Sequence, residues 1–205
     1  DIFSRYVVGW LVAGAENAGL AQALIDETCV KHGIARDALT LHSDRGSPMR
    51  AKTTAELLVD LGVAASFSRP RVSNDNPFSE AQFKTFKYRP QFPACFEGVE
   101  HARTHSREFF PWYNNEHRHS GIGVMTPAAM HFGTAPALWH ERAKVLQAAY
   151  AAHPERFKGK IPTPPELPKI VGINLPKISS TETANALIQT PALLTNLNTQ
   201  VSHSH

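Results

Sequence analysis

The chain is poor in cysteine and methionine and has no long apolar run. Cys29 and Cys95 are its two cysteines in 205 residues. They stand far apart, which excludes both a disulfide framework and a zinc-type pair spacing. A reducing cytoplasm is the expected setting. No apolar stretch approaches the roughly 20 residues that cross a bilayer, and no signal-peptide pattern is present, so no membrane partner is expected. A net charge of +3 is too small to indicate nucleic-acid binding by itself. Internal repeats are absent. The chain opens on Asp1 instead of Met, inside a turn-like stretch, and a fragment of a longer protein is expected.

An apolar fraction of 42% over this length supports one domain plus an appendage. Tyr6 to Val12 is a β-branched and aromatic run and predicts a strand. Asn17 to His32 has apolar residues at helical spacing and ends near Gly33, a helix-stop signal. A second strand is expected over Ala38–His42. A helix follows over Thr53–Leu61, with Leu57, Leu58 and Leu61 inward and Gly62 closing it. A third strand is expected over Val63–Phe67. This β-α-β-α-β alternation predicts an α/β layered domain. After a polar loop, Asn76 is a good N-cap and Pro77 a good first helical residue, with the helix reaching about Tyr88. A long helix is expected from about Gly98 to Asn114, bent or interrupted at Pro111. Thr126 caps a short helix, Pro127 to His131, and Ala135 to Ala152 reads as helical. Pro154, Pro162, Pro164, Pro165, Pro168 and Pro176 then exclude regular helix. Ser179 to His205 is rich in Thr, Asn and Ser and reads as a disordered tail or a non-native reading-frame extension.

Two carboxylates stand out. Asp44 follows the apolar strand Ala38–His42 and precedes Gly46, which allows a tight turn or a close approach to a ligand. Glu80 rides the first turns of the helix that begins at Asn76. Thirty-five residues separate them, positions 45 to 79. Two acids on distant elements can share a divalent site, because Mg²⁺ takes oxygen ligands and one or two carboxylates. Each acid also has an ordinary reading. Asp44 can close an Asx-turn onto local amides, and Glu80 can pair with Lys84 four residues on, worth about 0.2–0.5 kcal/mol. Lys84 and Lys87 share a face with Glu80, while Phe83 and Phe86 lie off it and can anchor the helix in the core. From Arg69 to Arg89 five cations stand against Asp75 and Glu80, so positive charge gathers around one of the two acids. His117 and His119 are spaced i,i+2 with no second ligand pair nearby, which does not make a zinc site. Trp112 on the long helix reads as core, and Tyr113 reads either as core or as a stacking surface for bases.

His42-Ser43-Asp44-Arg45-Gly46-Ser47 resembles the second-acid motif of DDE transposases and retroviral-type integrases. The Asn76–Lys87 helix with Glu80 resembles their third-acid helix, and the spacing is the family's. Asp1-Ile2-Phe3-Ser4-Arg5 with Val8-Gly9-Trp10 resembles the strand-turn-strand between the first and second acids of bacterial insertion-sequence transposases. Trp112-Tyr113-Asn114, Arg118-His119-Ser120 and Thr126-Pro127-Ala128 resemble the C-terminal signature of the same group. The likeness runs to about residue 178. One departure matters: Asp1 matches the turn residue, and the strand that carries the family's first acid lies upstream of that turn.

The resemblance implies an α/β, RNase H-like mixed sheet flanked by helices, here partial. It implies a catalytic core over residues 1–132, a helix and Pro-rich segment over 133–178, and the tail over 179–205. It implies DDE-type polynucleotidyl transfer in the intact parent, with DNA cleavage and strand transfer and no covalent protein–DNA intermediate. Two Mg²⁺ or Mn²⁺ ions would be held by Asp44, Glu80 and the upstream acid. Lys84, Lys87, Arg45, Arg118, His119 and Tyr113 would meet DNA, both the transposon ends and the target, in a homo-oligomeric parent. The truncated chain is expected to be inactive alone. The alternatives are a DNA-binding remnant without catalysis and an RNase H-like nuclease without strand transfer.

Overall fold

The computed structural model describes residues 1–174, and residues 1–173 form one compact unit. The expectation for residues 179–205 lies outside the described residues. Eight regular elements follow in chain order: α1 (Ala18–Lys31), β1 (Leu39–Ser43), α2 (Lys52–Leu61), β2 (Val63–Phe67), α3 (Pro77–Lys87), α4 (Val99–Asn115), α5 (Pro127–His131) and α6 (Ala135–Ala152). Among the described residues no helix is long and apolar enough to cross a membrane.

The centre is a β-α-β unit. β1 and β2 run parallel, in register from Leu39 opposite Val63 to Ser43 opposite Phe67. Parallel neighbours need a crossover, and α2 supplies it. Its end is set by Gly62 at φ 65°, whose N–H caps Leu58 and Val59 carbonyls. A Cβ there would stand 2.9 Å from the Asp37 nitrogen, so the left-handed turn and the lack of space both call for glycine. α1 packs on the same unit. Its Asn17 cap accepts from Leu20 N at 2.9 Å. Cys29, Leu58 and Val63 are buried together, with Ile25, Leu39, Leu41 and Leu61 around them.

The strand expected over Tyr6–Val12 is not formed, and the described sheet has two strands. The segment is pinned by side chains in place of a ladder. Asn114 bonds both backbone groups of Val7. His32 Nε2 holds the Val8 carbonyl at 3.0 Å, and Arg103 Nε donates to the Val12 carbonyl at 3.0 Å. The backbone of Val7, like the carbonyls of Val8 and Val12, is thus satisfied without a neighbouring strand.

α4 runs on through Pro111, so of the expected bend or interruption the interruption does not occur. Its buried stripe is Ser106, Phe109, Tyr113 and Asn114. A second core gathers Ile122, Met125, Ala129, Met130 and Ala135, with Trp139 and Leu167 against it. The Pro-rich segment joins this core. Trp139 Nε1 donates to the Pro165 carbonyl at 2.9 Å, and Leu167 packs inward.

Candidate metal and DNA site

Asp44 is the residue after β1 and is exposed. Its Oδ1 accepts from Gly46 N at 3.0 Å, so the Asx-turn is present. The turn uses Oδ1, and among the described residues no hydrogen bond reaches Oδ2. A Cβ on Gly46 would lie 3.1 Å from Asp44 Oδ1 and 3.6 Å from Glu16 Oε1, so two carboxylates flank this glycine. Glu16, just before the α1 cap, is a neighbour that sequence spacing did not single out. Downstream, Thr54 is fully buried and donates to the Pro48 carbonyl at 2.8 Å, which ties the turn after Asp44 to α2.

Glu80 sits in the first turn of α3 and is exposed. Among the described residues it has no ion-pair partner, Lys84 included. The ordinary reading of a Glu80–Lys84 pair is therefore not realised. Lys84 and Lys87 are also exposed on this side of the helix. The inward stripe is Phe78, Gln82, Thr85 and Phe86, at helical spacing. Phe86 meets Phe109 edge-on with ring centroids 4.7 Å apart. Phe83 falls one position off that stripe and is 55% exposed, which corrects its expected role as an anchor.

The path between the two acids is held tightly. Arg45 Nε donates to the Ser68 carbonyl at 3.0 Å, which fastens the turn beside Asp44 to the end of β2. Buried Asp75 accepts from Arg69 N, Nε and Nη2, each at 2.8 Å. This forked pair closes the loop that leads into α3. His42 Nε2 lies 2.9 Å from the Asp75 carbonyl. The Arg5 guanidinium stands 4.1 Å over the ring of Phe78, one residue into α3.

The remaining expected DNA contacts divide by exposure. Arg45 and Arg118 are exposed. Tyr113 is 2% exposed and stacked on Phe109 and His117, so no ring face is open to a base. Burial pushes its hydroxyl up to about 12. His119 packs edge-on against Tyr113 at 5.0 Å, and its Nε2 is enclosed without a hydrogen-bond partner among the described residues. Burial first, then the charges of His117 and Arg5, lowers it to about 4, so the ring is neutral at pH 7. Both residues serve the packing of α4, and the alternation of Ser106, Phe109 and Tyr113 at helical spacing was the signal for it.

Two exposed carboxylates with no cation held against them offer the oxygen donors that Mg²⁺ or Mn²⁺ takes. No group of three or more His, Cys, Asp or Glu able to hold a metal occurs among the described residues.

Comparison with known proteins gives a consistent picture. Two models of the integrase core domain match the chain, one over residues 1–73 and the other over residues 61–127. A curated relative, the transposase for insertion sequence element IS904 from Lactococcus lactis subsp. lactis (strain IL1403), is 29% identical over 131 residues. The aligned region is 62% of this chain and 50% of that protein, so the chain spans about half the length of the relative. The two matches together run from residue 1 to residue 127 and cover both acid-bearing elements, and over that stretch the chain is similar to integrase core domains.

Proposed function

We propose that this chain supplies two of the metal-binding acids, Asp44 and Glu80, of an RNase H-like catalytic core that cuts and joins DNA. The observation that carries the reading is their shared state. Both are exposed and free of ion-pair partners among the described residues, and they sit on elements bound to each other through Arg45, His42 and the Arg69–Asp75 clamp.

In this reading Asp44 and Glu80 hold divalent ions, Mg²⁺ or Mn²⁺. When bound, such ions activate a water or a 3′-hydroxyl and stabilise the leaving oxygen of an in-line displacement at phosphorus. The rest falls to the protein. Lys84 and Lys87 stand four and seven residues beyond Glu80 and bring charge to the DNA backbone beside the acids. Arg45 and Arg118 extend the contact surface. The substrates are transposon ends and target DNA, the setting is the bacterial cytoplasm, and the working form is a homo-oligomer of the full-length protein.

The test is strand transfer by the full-length protein carrying Glu80→Gln or Asp44→Asn. Each variant should lose cleavage and strand transfer while retaining DNA binding. Normal strand transfer by Glu80→Gln overturns the assignment.

A further inference from the structure

We infer that His42 is a positioning residue for the metal site: it locks the strand end that carries Asp44 to the loop that launches the Glu80 helix. The inference rests on the reading of Asp44 and Glu80 as metal ligands.

His42 lies on β1, two residues before Asp44, and is half-buried. Its imidazole makes three contacts beyond its own strand. Nδ1 is 2.9 Å from Ser66 Oγ, across the ladder from His42 on β2. Nε2 is 3.2 Å from Ser68 Oγ, just past the end of β2. Nε2 is also 2.9 Å from the Asp75 carbonyl, two residues before α3 begins. A carbonyl oxygen can only accept, so Nε2 carries a proton. Of the two tautomers the network therefore selects Nε2–H, in which Nδ1 accepts from the Ser66 hydroxyl.

The Ser66 contact alone would serve to join two strands. The bond to Asp75 leaves the sheet and reaches the segment that fixes where α3 starts. Asp75 is itself held by three bonds from Arg69, so its carbonyl is a rigid anchor. α3 does little to fix its own beginning. Asn76 makes no side-chain cap bond, and the helix has no fully buried residue. His42 therefore gives a direct side-chain bond from the Asp44 strand to the segment just before the Glu80 helix. Two ligands of one ion must be held to within about 0.5 Å, and partners that orient ligands set the affinity of a site.

The test uses the 205-residue chain with Mn²⁺ as the probe, its binding followed by electron paramagnetic resonance. His42→Ala should weaken Mn²⁺ binding by about tenfold or more. His42→Gln keeps a donor near the Nε2 position and should restore most of it. Nitrogen-15 NMR of the wild-type imidazole should show the Nε2–H tautomer, a signature that needs no metal. Asp44→Asn and Glu80→Gln serve as controls. If both lose Mn²⁺ while His42→Ala binds it normally, the metal reading stands and the role of His42 is overturned. An Nδ1–H tautomer overturns it too, as does a loss in His42→Ala that His42→Gln fails to restore. Unchanged Mn²⁺ binding in both control variants overturns the metal reading, and the role of His42 with it.

Discussion

The side-chain amide of Asn114 closes two hydrogen bonds on the backbone of Val7, accepting from its N–H at 2.9 Å and donating to its carbonyl at 3.1 Å. One amide on α4 does for Val7 what a ladder partner does in a sheet. Both groups of Val7 lose their partner in Asn114→Ala; Val7 is half-buried, and each lost hydrogen bond costs about 0.5–1.5 kcal/mol. The variant should therefore lose about 1–3 kcal/mol, read as a lowered urea midpoint with an unchanged slope. Asn114→Asp keeps the acceptor but sets a carboxylate against the Val7 carbonyl. It should be no more stable than the alanine variant, whereas loss of a simple contact would leave it near wild type.

Two glycines separate backbone strain from crowding. Gly123 and Gly133 both have positive φ, +67° and +73°. A Cβ on Gly133 meets nothing within 4 Å, so Gly133→Ala should cost only the left-handed penalty of about 1–2 kcal/mol. At Gly123 the Cβ would lie 2.9 Å from Leu167 Cδ2 and 3.0 Å from the Glu166 carbonyl. Gly123→Ala should cost clearly more and should loosen the Pro-rich segment. Thermal melts of the two variants, with Trp139 fluorescence as a local reporter, check both parts. Equal losses would show that the segment does not press on Gly123.

Much of this was legible from local chemistry. Gly62 ends α2, α1 begins beside Asn17, and Pro77 opens α3 within a residue of expectation, because starts and stops are decided by neighbours in the chain, although Asn76 stands at the cap position without making the cap bond. The strand expected at Tyr6–Val12 failed for the opposite reason. Its composition suits a strand, but a strand is a pairing. The groups that take its backbone, Asn114, Arg103 and His32, lie 107, 91 and 24 residues away. Asp44 and Glu80 stand out as candidates in the sequence because the residues around each form a recognisable pattern. The role of His42 could not, since it depends on Ser66, Ser68 and Asp75 arriving at one ring.

Acid should weaken the fold through α4. His119 titrates at about 4 in the folded chain, below its ordinary 6.5, with burial the main cause. His117, His105 and His131 are shifted the same way, each chiefly by burial. A depressed histidine means that the unfolded chain binds more protons between those values. Stability is thus fully present above about pH 6.5 and falls as pH drops toward 4. Urea unfolding measured across that window should show the slope, and His119→Phe should flatten it. An unaltered slope in His119→Phe would place the acid sensitivity elsewhere.

Binding to DNA should depend on salt through Lys84 and Lys87 and not through Tyr113. Both lysines are exposed and have no ion-pair partner among the described residues, so each is free to displace a counterion from a phosphate. Each such contact adds roughly 0.9 to the slope of log affinity against log salt on duplex DNA. Lys84→Ala with Lys87→Ala should lower that slope by about 2, with a loss of affinity that is uniform across sequences. Tyr113→Phe removes only a buried hydroxyl and should leave the slope untouched. Fluorescence anisotropy with one labelled duplex at several salt concentrations measures all three proteins together. An unchanged slope in the double alanine variant would move the phosphate contacts off the Glu80 face. A changed slope in Tyr113→Phe would mean that α4 opens when DNA binds.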